Sequence, residues 1–297
     1  MKYGGDAMLY IIITFLAILF IWFFSKGYQN KNSVAVNHIH IKKDSPSSEV
    51  PLNVLQISDM HLENISITPQ NLYETLKTEN IDLIALTGDF LDRKRTIPKL
   101  IPYLEVFMQL KPTFGCYAVF GNHDYVLKTK HLQRLEEVLE KHDVKILRNE
   151  HVAIPTGGTQ LNIIGIDDYG TNHSDLNKAY KNLGHGYRLV LTHDPNIVLE
   201  MKKYPFDYLL SGHFHGGQIC WPKPYQLTKL GRMGKLPQMN ILKGLHHVDD
   251  KPFYISEGLG QTGVNIRMGS RPEITLHHLE ASTLLSTKEW VSNKGAS

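Results

Sequence analysis

Five short polar blocks, each placed where an apolar strand-like run stops, constrain this chain more than any other feature. They are ISDMH with Asp59 and His61, TGDF with Asp89, GNHD with Asn122, LTHD with His193, and SGHFH with His213 and His215. Open α/β sheets place their ligand sites beyond the carboxyl ends of strands, so the chain needs a fold that gathers five such ends around one centre. Two aspartates, one asparagine and four histidines form an oxygen and nitrogen donor set suited to Mn, Fe or Zn, whereas an all-oxygen set would favour Mg or Ca. Any one of these residues alone is as well explained as a helix cap or a turn residue. All seven at strand ends point to a site for two metal ions.

The rest of the pattern fits an α/β protein. LNVLQIS, DLIALTG and CYAVFG read as strands, and 69–79, 97–110 and 128–141 carry helical period. KILRN follows, then HVAIP and LNIIGID joined by TGGT, a hairpin signal. Ser174 is expected to cap a helix running to Leu183. YRLVLTH and DYLLSGH are strands flanking a helix around 197–204, and the last sixty residues read as hairpins. With 297 residues, 42% hydrophobic and 21% charged, there is material for one large domain but not two.

A net charge of +3 and a pI near 8.6 are too mild for a nucleic-acid binder, so no nucleic-acid partner is expected, yet they suit an anionic substrate. Cys116 and Cys220 fit neither a zinc cluster nor a disulfide framework and read as core residues. Asp167, Asp168 and Asp194 read as caps and turn residues. His38, His40, His246, His247, His277 and His278 lie outside the blocks and read as surface or strand residues.

Met8 to Phe24 is an apolar run with Thr14 as its only clearly polar side chain, at the short end of what spans a bilayer. No small-x-small cleavage site accompanies it, and Tyr10 and Trp22 sit near its ends as interfacial aromatics would. An uncleaved single-pass anchor in the cell membrane is the expectation. Lys2 and the terminal amine on one side are matched by Lys26 and Lys31 on the other, so charge does not set the orientation; the reading adopted puts the catalytic domain on the outer face. The chain then divides into an anchor at 1–28, a tether at 29–50, a catalytic domain at 51–285 and a tail at 286–297. Within the tether, VNHIHIKK has the alternation of an edge strand.

In order and spacing, DxH, GDxxD, GNHD, a lone His and GHxH resemble the calcineurin-like metallophosphoesterase superfamily, over about 52–279. The flanking SGHFHGGQI and FYISEGLGQTGVNIRMGSRPEITLHHL resemble more narrowly a bacterial membrane-associated subgroup that includes YkuE- and YaeI-type phosphoesterases. The resemblance implies a four-layer α-β-β-α sandwich of two packed mixed sheets, preceded here by the transmembrane helix. It also implies two divalent metal ions, Mn, Zn or Fe. Asp59, His61 and His215 would hold one, Asn122, His193 and His213 the other, and Asp89 would bridge them. His123 matches the family's catalytic histidine, a proton donor to the leaving oxygen, oriented by Asp92 or by Asp124. Arg93 completes GDFLDR, which resembles the phosphate-gripping segment of protein phosphatases, although with Lys94 and Arg95 beside it a solvated basic loop is the simpler account.

The substrate class implied is a phosphomonoester, phosphodiester or pyrophosphate. The anchor and the subgroup favour a lipid-linked or cell-envelope substrate, such as a UDP-diacylglucosamine-like pyrophosphate. Between Gly216 and Arg271, eight lysines and arginines against three acids, interleaved with Trp221, Tyr225, Phe253 and Tyr254, suit either a lipid headgroup or ordinary hairpins with aromatics in the core. The competing readings are a nuclease or cyclic-nucleotide phosphodiesterase, which would need a long basic groove, and a catalytically silent metal-binding scaffold, which would be expected to lack a ligand. Oligomeric state is not encoded in these motifs.

Overall fold

The structure is a computed structural model, and it describes residues 3–42, 51–156, 160–220 and 233–280. Two six-stranded mixed sheets pack face to face. In the first the order is β1(Ala35–Lys42), β12(Glu273–Glu280), β2(Leu52–Ile57), β3(Leu83–Thr87), β4(Cys116–Val119), β5(Val144–Ile146). In the second it is β10(Gly244–Val248), β11(Lys251–Ile255), β9(Tyr208–Ser211), β8(Tyr187–Leu191), β7(Gln160–Gly165), β6(Glu150–Pro155). Strands β2 to β5 run parallel to one another, as do β7, β8, β9 and β11. Strand β3 is covered on both faces, which is why it reads LIALT without alternation: every residue in it is buried.

Between the sheets lies a core of Val54, Leu83, Ala85 and Val119 from the first against Ile163, Leu189, Leu191 and Leu210 from the second. A chain of polar groups crosses it. Tyr208 Oη meets His277 Nδ1 at 2.8 Å, His277 Nε2 meets Gln56 Oε1 at 3.0 Å, and Gln56 Nε2 donates to Thr87 Oγ1 and the Ser211 carbonyl. Helices α2(Pro69–Leu76), α3(Ile97–Gln109) and α4(Thr129–Glu140) cover the outer face of the first sheet through Leu72, Leu76, Leu100, Leu104, Leu135 and Leu139. The outer layer of the second sheet is thinner. The helix expected around 197–204 is a 3₁₀ segment, Pro195–Lys203, because Asp194 caps it and Met201 leaves helical geometry. The helix expected from Ser174 is the four-residue α5(Leu176–Ala179), capped by Asp175, whose side chain accepts from the Lys178 N–H.

The hairpin of β6 and β7 is present, with its turn at 157–159 outside the described residues. So is that of β10 and β11, closed by Asp249 and Asp250, both at positive φ (47° and 62°), as a primed turn requires. The last strand departs from the hairpin expectation: β12 crosses to the first sheet and lies antiparallel to β2 and parallel to β1.

Helix α1(Tyr3–Lys31) is longer than the apolar run, and from Ala7 to Lys31 it is long and apolar enough to cross a membrane. Its last turn meets the domain. The Arg267 N–H donates to the Gly27 carbonyl (3.0 Å) and Asn30 Nδ2 donates to the Arg267 carbonyl (3.1 Å). VNHIHIKK supplies β1, the edge strand its alternation allows. The remainder of the expected tether, 43–50, and the expected tail at 286–297 lie outside the described residues.

Candidate metal centre

Parallel strands β2, β3, β4, β8 and β9 all end at one edge of the sandwich, and the five polar blocks follow these ends directly. The turns there are strained. Asp59 (φ 48°), His61 (34°), Asp89 (55°), His213 (77°) and His215 (49°) all lie in the left-handed region, which costs a non-glycine residue about 1–3 kcal/mol and is characteristic of functional sites. Glycines make room for them. A Cβ on Gly121 would fall inside contact distance of Asp89 Oδ1, and one on Gly212 would fall on Ser58 Oγ and Asp59 Oδ2. Gly212→Ala is therefore expected to displace Asp59 and cut hydrolysis by about tenfold or more, with metal content per chain, measured alongside activity, falling in parallel. An alanine variant with full metal content and rate would show that the loop has slack.

Six of the seven side chains named from the blocks come together in two groups. Asp59, His61 and His215 form one, with His215 Nε2 3.4 Å from Asp59 Oδ1. His193 and His213 form the other with Asp89, and His213 Nδ1 lies 3.2 Å from His193 Nε2. Asn122 leads the same GNHD turn whose next residue, His123, gives its backbone N–H to Asp89 Oδ1 (2.8 Å). Asp89 lies between the groups: its Oδ2 is 3.1 Å from His193 Nε2 and 3.5 Å from His61 Nε2. Burial opposes the Asp89 charge, but His193, His123 and His61 outweigh it and hold the carboxyl well below its usual range. Burial, with His61 and Arg267 nearby, pushes His215 well down, favouring the neutral imidazole that a ligand must present.

The histidine orientations are fixed from behind, as in metal sites. His193 Nδ1 donates to the Thr87 carbonyl (2.8 Å), turning Nε2 inward. His61 Nδ1 lies 2.9 Å from Asp92 Oδ1, which turns its Nε2 inward as well. Asp92 Oδ1 is also 2.9 Å from His123 Nδ1, so a single carboxylate oxygen serves both rings. Burial alone would lower the His123 pKa; Asp89 and the hydrogen bond to Asp92 raise it to about 9. Asp124 is not the partner of His123. Its carboxylate accepts the backbone N–H groups of Asp89, Phe90 and Gly121, each at 2.9 Å, and so ties two of the ligand turns together. Arg93 is exposed beside Asp92, and its backbone N–H donates to Glu63.

The remaining residues singled out fall where ordinary structure places them. Asp194 caps the 3₁₀ segment, Asp168 accepts from Thr171, and Asp167 accepts from Tyr125 and Arg148. Cys116 is buried and Cys220 half-buried, both as free thiols. Phe253 and Tyr254 are core residues, while Trp221 and Tyr225 lie outside the described residues.

Two contributors are not singled out by residue in the sequence, although Arg267 lies within the segment 253–279 that carries the subgroup resemblance. Glu63 accepts from the backbone N–H groups of Asp92 and Arg93 and from Thr96 Oγ1, shaping the turn that presents Asp92. Arg267 is fully buried and donates to the carbonyls of His215, Glu257, Gly258 and Gly260. A buried arginine without a facing carboxylate is recognisable only once the fold closes carbonyls around it.

Residues 52–217, more than half of the chain, match the model of the family described as calcineurin-like phosphoesterase. The chain belongs to that family. It is 58% identical over 273 residues to the metallophosphoesterase YkoQ of Bacillus subtilis, covering 92% of this chain and all of that one. The phosphodiesterase YaeI of Escherichia coli is 28% identical, covering 77% of this chain and 82% of its own. The UDP-2,3-diacylglucosamine pyrophosphatase LpxG of Chlamydia trachomatis is 26% identical, with 76% and 82% covered. Membership makes the chain a metal-dependent phosphoric ester hydrolase and gives the two clusters their natural occupants, divalent metal ions.

Proposed function

We propose that the chain is a single-pass, membrane-anchored, dinuclear phosphoesterase that hydrolyses a lipid-linked or cell-envelope phosphate ester or pyrophosphate, with its catalytic domain on the outer face. The observation that carries the dinuclear reading is a pair of buried ligand atoms lacking any hydrogen-bond partner, one from each proposed ligand set: His61 Nε2 and Asn122 Oδ1. Leaving one such atom unsatisfied costs about 1–3 kcal/mol, and ligation to cations removes that cost. Asp59, His61 and His215 would hold one ion and Asn122, His193 and His213 the other, with Asp89 shared. Bound there, such a pair supplies Lewis acidity toward the phosphoryl oxygens and an activated water nucleophile.

The protein's own groups do the rest. His123 keeps one ring nitrogen on Asp92 and offers the other to the departing oxygen, whose developing charge it neutralises with a proton. Two cations would draw on the charge of Asp89, leaving Asp92 to support the imidazolium. Asp92 also orients His61, so proton delivery and ligation share one support. Arg93, exposed at the rim, is assigned to the outer phosphate oxygens. The substrate assignment rests on α1 and on the names of the relatives. A pyrophosphatase of UDP-2,3-diacylglucosamine and a phosphodiesterase both cleave a phosphoryl oxygen bond, and a lipid-linked pyrophosphate is the substrate that would also require an anchor.

The test is a hydrolysis screen of the detergent-purified chain with Mn, Zn or Fe against phospholipid, nucleotide-sugar, cyclic-nucleotide and nucleic-acid panels. The expected result is turnover of lipid pyrophosphates or phosphodiesters. Preference for cyclic nucleotides or nucleic acid would replace the substrate assignment, and metal binding without turnover of any ester would favour the scaffold. Deleting residues 1–24 spares the docked turn at Gly27 and Asn30 and is expected to keep activity on small diesters while reducing it on vesicle-embedded lipid, since the anchor supplies local concentration. Equal rates on embedded lipid would remove the main support for a membrane substrate.

A further inference from the structure

Helix α1 touches the domain through a narrow stripe. Among residues 7–31 only Gly27 is buried, flanked by half-buried Phe23, Asn30 and Lys31. A Cβ on Gly27 would lie 3.0 Å from Ile266 Cβ, so the helix backbone rests directly on the 266–267 segment. Both peptide groups of Arg267 are held there, its N–H by the Gly27 carbonyl and its carbonyl by Asn30. The same residue sends its side chain the other way, beneath the metal centre.

That guanidinium ends on the loops behind one metal group. It donates to the His215 carbonyl (3.1 Å) and, in the 257–260 loop, to Glu257 (2.7 Å), Gly258 (3.1 Å) and Gly260 (2.6 Å). The 257–260 loop is the backing of Asp59 and His61. The Leu259 N–H donates to the Ser58 carbonyl and the Gly260 N–H to the Asp59 carbonyl, and Gly258 and Gly260 press so closely that a Cβ on either would collide with Asp59, or with Met60 and His61. Asp59, His61 and His215 are therefore all supported from one side chain. In the other group two members have supports of their own, His193 on the Thr87 carbonyl and the Asn122 turn on Asp124 through Gly121, while His213 shares the loop of His215 and gives its backbone N–H to Asp59.

We propose that Arg267 is a positioning residue that makes the Asp59, His61 and His215 metal position conditional on the docking of α1, while the position served by Asn122 and His193 stands without it. The membrane helix is then part of the catalytic fold at its last turns and an anchor above them. This rests on the dinuclear reading given above.

The experiment uses the full chain in detergent, loaded with Mn or Zn, and follows ions per chain and their release to a chelator. Gly27→Leu unseats the helix without touching the site, and Arg267→Lys keeps the charge but cannot span the carbonyls. In both, one of two ions should leave about tenfold or more faster, the range expected when a ligand's support is lost. The second ion should leave at the wild-type rate, and Gly27→Leu should show the same selectivity even though only Arg267→Lys strands buried carbonyls and lowers the thermal unfolding temperature. Unaltered release in both variants overturns the proposal, as does equal acceleration of both ions. An effect in Arg267→Lys alone would confine its role to the loops and overturn the coupling to α1. A wild-type chain that holds fewer than two ions would instead overturn the dinuclear reading itself.

Discussion

Asp89→Asn is expected to abolish hydrolysis and to lower metal content more than any other single ligand change. Its Oδ2 faces His193 from one group and His61 from the other, so it alone among the ligands stands between both clusters. An amide offers only one good ligand oxygen and no charge, so it would hold two cations less well than the carboxylate would. The substitution also affects the backbone, since Asp89 Oδ1 accepts the His123 N–H and helps seat the GNHD turn. Metal analysis of Asp89→Asn and His61→Ala side by side decides it. Asp89→Asn should lose metal from both positions, His61→Ala from one. Full occupancy of both positions in the Asp89 variant would refute the bridging assignment.

His123→Ala should retain its metals and bind substrate but lose roughly 10² to 10⁴ in turnover, the usual worth of a positioned general acid. The defect should shrink on esters with good leaving groups, which need little protonation. Equal losses on nitrophenyl and alkyl esters would mean that His123 contributes by some route other than proton transfer. Asp92→Asn should reproduce the defect in part, because Asp92 holds His123 Nδ1. It should also weaken metal retention, about tenfold, because the same oxygen orients His61. Metal release separates the two variants where turnover alone would not. An Asp92→Asn protein with wild-type metal retention would show that His61 is held well enough by its own turn.

The orientation of His123 illustrates how far motif reading goes. Asp92 completes the GDxxD pattern, which favours it, while Asp124 adjoins His123 and stays a competing partner in the sequence. Asp124 follows His123 immediately, but the turn directs its carboxylate toward three backbone N–H groups on neighbouring loops. Asp92 belongs to the turn after β3, and Glu63 shapes that turn from another segment. A side chain's partner depends on the direction its backbone gives it, and although Asp and His adopt positive φ more often than most residues, their presence alone does not mark these turns.

The same limit shows in the elements. Apolar runs and their polar ends marked β2, β3, β4, β8 and β9 correctly, since a strand covered on both faces has a composition of its own. The 3₁₀ segment at 195–203 reads as an α-helix and α5 reads as a longer one because helical period does not record a cap or a break imposed by packing. Strand β12 was read with the hairpins because its partners, β2 and β1, lie more than two hundred residues earlier in the chain.

By itself the sequence determined the donor chemistry, the number of strand ends that carry it, the apolar helix at the amino terminus and the family to which the chain belongs. Those properties are local, set by residue type and short spacing. Only the tertiary structure decided that Asp92 serves two rings at once and that Arg267 joins α1 to the loops behind Asp59, His61 and His215. Each of these depends on where carbonyls and carboxylates from distant segments converge after the sheets have packed, and pairings of that kind leave no period or motif along the chain.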